Sequence, residues 1–303
     1  MKPRIIITDK LHERAVSLAE EFAEVDEKLN LTPQKLSEEI AGYDAIIIRS
    51  GTKLTKEIIE KSSLKAIGRA GVGLDNVDLK ACAEKNIKVF NSPESSTISV
   101  AEHSIGLMLS FIRNTCKGHA SLKEGRWDRK KYLGNEVYGK TLGVIGFGRI
   151  GREVALRAKS FGMNVCVYDP HITSEDAREF GCTHSGLTKL LNSADIVTLH
   201  VPATDETKNL INKETLSQMK KDAFLVNTSR GAVVDEDALY QTLKDGNIKG
   251  AALDVFQNEP PKDSPLLGLE NVVLTPHLAA STQEAQINAG TVVVEKIRNH
   301  LMN

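Results

Sequence analysis

Three polar residues follow short apolar runs in the second half of the chain: Arg230 in VNTSRG, Glu259 in NEPP and His277 in LTPHLAAS. A guanidinium presents a planar fork that matches a carboxylate and can also polarise an adjacent carbonyl. Imidazole exchanges protons near neutral pH, and a neighbouring carboxylate favours its charged form. Each residue also has a plainer use, Arg230 in a surface ion pair, Glu259 as a loop charge and His277 as a capping or core histidine. Taken singly, none of the three decides the matter.

A second constellation lies upstream. LGVIGFGRIG places Gly146, Gly148 and Gly151 in G-x-G-x-x-G spacing, after an expected strand and before an expected helix. Gly146 permits a tight turn, Gly148 lets backbone approach a pyrophosphate, and Gly151 lets the helix pack closely on the strand. The helix starting near Arg149 offers free N–H groups and a positive dipole end to phosphates. The next strand, VCVYDP, ends in Asp169, 18 residues beyond Gly151 and close to where a ribose-binding acid is expected. A carboxylate there repels a 2′-phosphate, so NAD is favoured over NADP. The alternative is an ordinary strand-helix turn with a solvated aspartate, which leaves the joint register of all four residues unexplained.

These residues need a frame, and composition sets its kind. The 303 residues suggest two domains, and 41% hydrophobic with 26% charged residues allows a sizeable core. Lys plus Arg (39) balances Asp plus Glu (40), leaving no basic excess to draw in nucleic acid. Cys82, Cys116, Cys166 and Cys182 form no CxxC pair, which fits reduced thiols and neither a disulfide frame nor a metal site. The three isoleucines of MKPRIIITDK are too few for a signal peptide, and no run of about 18 apolar residues occurs. A soluble, cytoplasmic protein with no membrane partner is expected.

Short β-branched runs alternate with amphipathic stretches throughout, the pattern of βαβ units around parallel sheets. Strands are expected at 4–8, 44–48, 64–68 and 87–90, and six more at 142–145, 165–168, 196–199, 224–227, 251–253 and 272–274. Thr32-Pro33 and Thr55-Lys56-Glu57 read as helix starts. Ala101, Ile105, Met108 and Ile112 keep the spacing of one helix face, while Leu107, Leu109 and Phe111 make other faces apolar. Such a helix needs cover on most sides, which predicts a core position and a second subunit. A last helix, 282–300, is expected to return to the first domain. The expected class is α/β with two doubly wound parallel-sheet domains: a Rossmann NAD-binding domain, 97–282, inserted into a flavodoxin-like substrate-binding domain, 1–96 and 283–303.

The blocks IIRSGTKLT, GRAGVGLDNVDL, GKTLGVIGFGRIGREVA, FGMNVCVYDP, LVNTSRGAVVDEDAL, GAALDVFQNEPP and LTPHLAAST occur in this order. Through them nearly the whole chain resembles the D-isomer-specific 2-hydroxyacid dehydrogenase family. The resemblance implies that His277 takes the C2 hydroxyl proton as C2 gives up a hydride, that Glu259 holds the imidazolium, and that Arg230 grips the carboxylate and the developing carbonyl. It further implies that Ile150, Pro202, Thr207, Thr228, Ser229, Asp254 and Ala280 lie along NAD with the glycines, and that Gly71, Val72 and Gly73 bind the substrate carboxylate. Ala279 stands where relatives often have glycine, with no loss of activity expected.

The family accepts many 2-hydroxy acids, so the substrate is argued from charge. Arg49, followed by Ser50, and Arg69 end two strands and face the cleft expected beyond the carboxyl strand ends. Arg129-Lys130-Lys131 resembles a family segment that reaches the neighbouring subunit's site, although alone it also reads as a solvated charge run. Several such donors suit a phosphate. The expected substrate is therefore a phosphorylated 2-hydroxy acid, 3-phospho-D-glycerate, handled by a homodimer or higher homo-oligomer. A glyoxylate or hydroxypyruvate reductase is the alternative, and an NAD-sensing corepressor a remote one. As the sequence ends after the closing helix, no C-terminal regulatory domain is expected.

Overall fold

The computed structural model describes residues 2–302. The chain divides into two compact units, one of residues up to Thr97 with those from Ala280 onward, the other Ile98–Ala279. The first holds β1 (Arg4–Ile7), β2 (Glu24–Glu27), β3 (Ala45–Ile48), β4 (Ala66–Arg69) and β5 (Lys88–Asn91). They form one sheet of order β2-β1-β3-β4-β5, every pair parallel, which is the flavodoxin-like order. The runs RIII and AIII are apolar without alternation because both faces are covered. Ile5, Ile7 and Ile47 pack with Val293 and Ile297 of the helix Gln283–Met302, and Ile6, Ile46 and Ile48 pack with Leu36 and Ile59 on the other side.

The second unit holds β6 (Thr141–Ile145), β7 (Asn164–Tyr168), β8 (Thr183–His184), β9 (Ile196–Leu199), β10 (Phe224–Asn227), β11 (Gly250–Leu253) and β12 (Val272–Leu274). Their order, β12-β11-β10-β9-β6-β7-β8, is again wholly parallel. The chain builds outward from β6 to β8, then crosses back to start β9 on β6's other side. This reversal opens a crevice at the carboxyl ends of β6 and β9, where doubly wound sheets bind ligands.

Two strands escape the sequence reading, and both are sheet edges. β2 is EVDE, exposed or half-exposed along its length, and β8 has two residues. An edge strand buries too little for an apolar run to mark it. The helix Thr97–Ile112 takes the core position expected of it. Ala101, Ile105, Leu107, Met108 and Ile112 sit in the second unit's own core, with Leu109 and Phe111 packed against it. Exposed apolar bulk lies further along instead, at Leu122 (57%), Trp127 (75%), Leu133 (85%) and Tyr138 (76%).

Among the described residues no helix is long and apolar enough to cross a membrane, and no group of three His, Cys, Asp or Glu side chains is arranged to hold a metal ion.

His200, directly after β9, is only partly exposed: its Nε2 lies 2.9 Å from Thr198 Oγ1, while Nδ1 is shut off from solvent without a partner. Burial pushes this imidazole down from 6.5 to about 3. The folded chain thus keeps it neutral where the unfolded chain protonates it, so stability is full above about pH 6.5 and falls as pH drops toward about 3. One proton is worth about 1.4 kcal/mol per pH unit in that window. Urea titrations at pH 7 and pH 5 should show a His200→Gln chain losing about 2 kcal/mol less on acidification than the wild type. Equal losses would exclude His200 as an acid-sensitive group.

Candidate active site

The turn after β6 is built for close approach. Gly146 has φ +91°, and a Cβ there would lie 2.5 Å from the His200 carbonyl oxygen. A Cβ on Gly151 would lie 2.1 Å from the Gly146 oxygen, so the helix Arg149–Ser160 seats on the turn only with glycine there. Nothing lies within 4 Å of where a Gly148 Cβ would be, which leaves its backbone open on the ligand side. Arg149 and Ile150 form the first helical turn, whose N–H groups have no intrahelical acceptors. An open glycine before a helix N-terminus at a switch point fits a pyrophosphate.

Asp169 closes this cradle. Its Oδ2 accepts from the Phe147 N–H at 2.8 Å and its Oδ1 from the His171 N–H at 2.9 Å, so the carboxylate is fixed while retaining acceptor capacity for ribose hydroxyls. Arg152 is a support that sequence spacing did not reveal. Its Nε donates to the Phe147 oxygen at 3.1 Å, and its guanidinium lies 5.6 Å from the Phe147 ring and 5.0 Å from the Phe180 ring. Across the switch point, after β9, Thr207 Oγ1 donates to the Pro202 oxygen at 2.5 Å and accepts from the Thr204 N–H at 2.8 Å, folding that segment on itself.

The loop after β10 is tied from within. Asn227 Oδ1 accepts from the Ser229 N–H (3.0 Å) and hydroxyl (2.8 Å), and its Nδ2 donates to the Arg230 oxygen at 3.0 Å. Thr228 Oγ1 lies 2.7 Å from Ser104 Oγ on the helix Thr97–Ile112. Thr228 and Ser229 are therefore buried in internal bonds, and Arg230, half-buried, emerges next with Nη1 on the Ser229 oxygen at 2.7 Å. Gly231 explains the SRG triplet: a Cβ there would sit 1.9 Å from the Phe256 carbonyl carbon, so only glycine lets this loop abut the one after β11.

That neighbouring loop carries Glu259, and the loop after β12 carries His277. Glu259 Oε1 accepts from the Phe256 N–H at 3.1 Å, and Oε2 lies 2.7 Å from His277 Nδ1. A carboxylate can only accept, so Nδ1 bears the hydrogen and Nε2 is the ring nitrogen with acceptor capacity for a proton. His277 has φ +54°, a left-handed conformation uncommon for a side-chain-bearing residue. Asp254, wholly buried after β11, holds that turn: its carbonyl accepts from the His277 N–H at 2.9 Å, and its carboxylate from the N–H groups of Leu278 and Ala279, each at 2.8 Å. Ala279 is buried; Ala280 beyond it is exposed.

The first unit presents its candidates at the carboxyl edge of its own sheet. Arg49 and Ser50 follow β3 in a turn gripped from both sides. Asp9 Oδ2 accepts from the N–H groups of Arg49 (2.6 Å) and Thr52 (3.1 Å), and Asn76 Nδ2 donates to their oxygens, both at 2.6 Å. Arg69 ends β4, and its Nη1 would lie 1.7 Å from a Cβ on Gly71, which has φ +149°. The oxygens of Gly71 and Val72 accept from the Ser92 N–H (2.9 Å) and Asn91 Nδ2 (2.6 Å), which sets the course of Gly71 to Gly73. Arg129 and Lys130 are exposed beyond the helix Thr115–Lys123.

Residues 105–279 match the family described as D-isomer specific 2-hydroxyacid dehydrogenase, NAD binding domain. The chain is 53% identical over 300 residues to the D-3-phosphoglycerate dehydrogenase of Methanocaldococcus jannaschii, covering 98% of this chain and 57% of that one. It is 44% identical over 304 residues to the hydroxypyruvate reductase of Thermotoga maritima, covering 98% of each. A solved D-lactate dehydrogenase from Aquifex aeolicus, complexed with NAD and lactic acid, superposes with a TM-score of 0.88 at 32% identity, covering 98% of this chain and 95% of that one. The chain spans about half the length of the phosphoglycerate dehydrogenases it matches. A match across more than half of the chain and a relative aligned over its whole length make this protein a member of the D-isomer specific 2-hydroxyacid dehydrogenase family, with an NAD binding domain in its second unit.

Proposed function

We propose that the protein interconverts 3-phospho-D-glycerate and 3-phosphohydroxypyruvate with NAD. The observation that carries this reading is the His277–Glu259 pair at 2.7 Å, with Nε2 unspent, on the strand edge that also carries Arg230. Bound NAD supplies the hydride acceptor. In the oxidation direction His277 Nε2 takes the C2 hydroxyl proton, and Glu259 balances the imidazolium through Nδ1. Arg230 binds the substrate carboxylate and steadies the developing carbonyl oxygen. Asp169 accepts from the ribose hydroxyls and disfavours a 2′-phosphate. Gly71, Val72 and Gly73 offer backbone to the carboxylate, while Pro202, Thr207 and Ala280 line the path of the cofactor and the buried Thr228, Ser229 and Asp254 hold its loops from beneath.

The substrate is assigned by its second anion. Arg49 and Arg69, with Arg129 and Lys130, are donors of the kind a phosphate needs, and relatives bearing the name D-3-phosphoglycerate dehydrogenase support that choice. Hydroxypyruvate reduction is the second reading, favoured by the Thermotoga maritima relative, whose full length this chain matches. Following NADH absorbance across 2-oxo acids separates them. Phosphohydroxypyruvate should exceed hydroxypyruvate, glyoxylate and pyruvate in kcat/KM by at least tenfold, about the 1.4 kcal/mol one charge-assisted contact supplies. Equal values would remove the phosphate assignment, and no turnover on any acid would favour a cofactor-sensing protein.

We also assign the exposed side chains of Leu122, Trp127, Leu133 and Tyr138 to contact with a second copy, carrying Arg129 and Lys130 to the partner's substrate. Mixing inactive His277→Ala chains with inactive chains carrying Arg129→Ala and Lys130→Ala should restore activity in heterodimers. No recovery after confirmed subunit exchange would count against a shared site.

The acid–base roles are tested separately. His277→Ala should lower kcat in both directions by about 100-fold or more with NAD affinity retained, since general acid–base catalysis supplies about 10²–10⁴-fold. Glu259→Gln still accepts from Nδ1 but no longer balances its charge, so a smaller loss of about tenfold is expected. A raised KM with near-normal kcat in His277→Ala would make His277 a binding group only.

A further inference from the structure

Beneath the His277 turn lies a cluster of side chains the reaction does not consume. Asp254 Oδ1 lies 2.5 Å from Thr275 Oγ1, and His103 Nε2 lies 3.3 Å from that same oxygen and 3.2 Å from Thr275 Oγ1. His103 comes from the helix Thr97–Ile112, 172 residues away from Thr275 in sequence. With the Leu278 and Ala279 amides, Asp254 is met by four donors and is fully removed from water.

Accounting for hydrogens fixes the direction of each bond. A carboxylate only accepts, so the Thr275 hydroxyl donates to Asp254 Oδ1. Both oxygens then face His103 with lone pairs, and Nε2 must carry a hydrogen. Burial pushes the Asp254 carboxyl up, but His103, Thr275 and the two amides outweigh it and hold the group below the ordinary carboxylate range. The anion is what the turn requires, because it alone accepts from both amides while taking the other two donors. The turn's left-handed φ is disfavoured locally, so it is maintained from outside.

We propose that His103 is a positioning residue for His277: its Nε2–H binds Asp254 and Thr275 into one unit, and that unit aims the imidazole whose Nδ1 meets Glu259. The inference rests on the reading of His277 as the acid–base group. His103 acts through Asp254 and Thr275, so its loss should misalign proton transfer and leave substrate binding nearly intact.

The test measures NADH-dependent reduction of whichever 2-oxo acid turns over fastest, together with NADH binding by fluorescence, in His103→Leu, His103→Gln and His277→Ala chains. Gln presents an N–H donor near the place of Nε2. His103→Leu should lose about 10- to 100-fold in kcat with KM and NADH affinity within about threefold of wild type, and His103→Gln should recover most of it. If the leucine chain does not fold, His103→Asn, polar but too short to reach Asp254, takes its place with the same expected loss. Wild-type kcat in His103→Leu, or a glutamine chain no better than the leucine chain, overturns the inference. A His277→Ala chain with normal kcat instead overturns the acid–base reading, whatever the His103 chains do.

Discussion

A parallel strand that ends at a sheet's carboxyl edge hands its chain to a loop whose N–H groups have lost their ladder partners, and an unmet buried donor is costly. This protein answers three times with the same device, an aspartate just past one strand accepting from backbone amides of the loop after the adjacent strand. Asp9 after β1 takes Arg49 and Thr52 beyond β3, Asp169 after β7 takes Phe147 beyond β6, and Asp254 after β11 takes Leu278 and Ala279 beyond β12. Each loop so held carries a candidate for ligand binding or proton transfer. At the opposite edge Asp44 and Asp195 do likewise for the N–H groups of Arg4 and Thr141 that open β1 and β6. The functional loops are thus extensions of the sheets, fixed by charge-assisted bonds.

Much of this could be read from the chain because the signals are local. Runs such as RIII mark strands covered on both faces, and the spacing of Gly146, Gly148 and Gly151 follows from steric contacts a few residues apart. Arg230, Glu259 and His277 stood out because polar residues after apolar runs in a parallel sheet must emerge at one edge. What stayed hidden is either marginal or distant. β2 and β8 bury too little to write a pattern, and the stacking of Arg152 on Phe180 depends on tertiary approach. His103 lies on a helix whose sequence signal is its apolar faces. Its partner Thr275 is 172 residues off, and no local rule connects them.

Asp169 shows how one side chain can be half understood. Sequence spacing marks it as the ribose acid at the end of a strand, a place where packing matters little. The structure adds the bond to Phe147 N–H, which makes the same carboxylate part of the glycine turn. The acid proposed for the ribose thus also sets turn geometry, so removing its charge also frees the Phe147 N–H of the glycine turn. Gly231 couples two functions in the same manner, since the contact that brings the Arg230 loop to Phe256 also sets the backbone whose amide orients Glu259.

Arg230, Glu259, His277 and their supports Asp254, Thr275 and His103 all belong to residues 98–279, whereas Arg49, Arg69 and the Gly71 turn belong to the other unit. The side chains proposed for proton transfer and those proposed for a second charge on the substrate are therefore carried by separate stretches of the chain. On that proposal what is accepted can change apart from the chemistry, and the chain is similar to relatives bearing the names of a phosphoglycerate dehydrogenase, a hydroxypyruvate reductase and a lactate dehydrogenase.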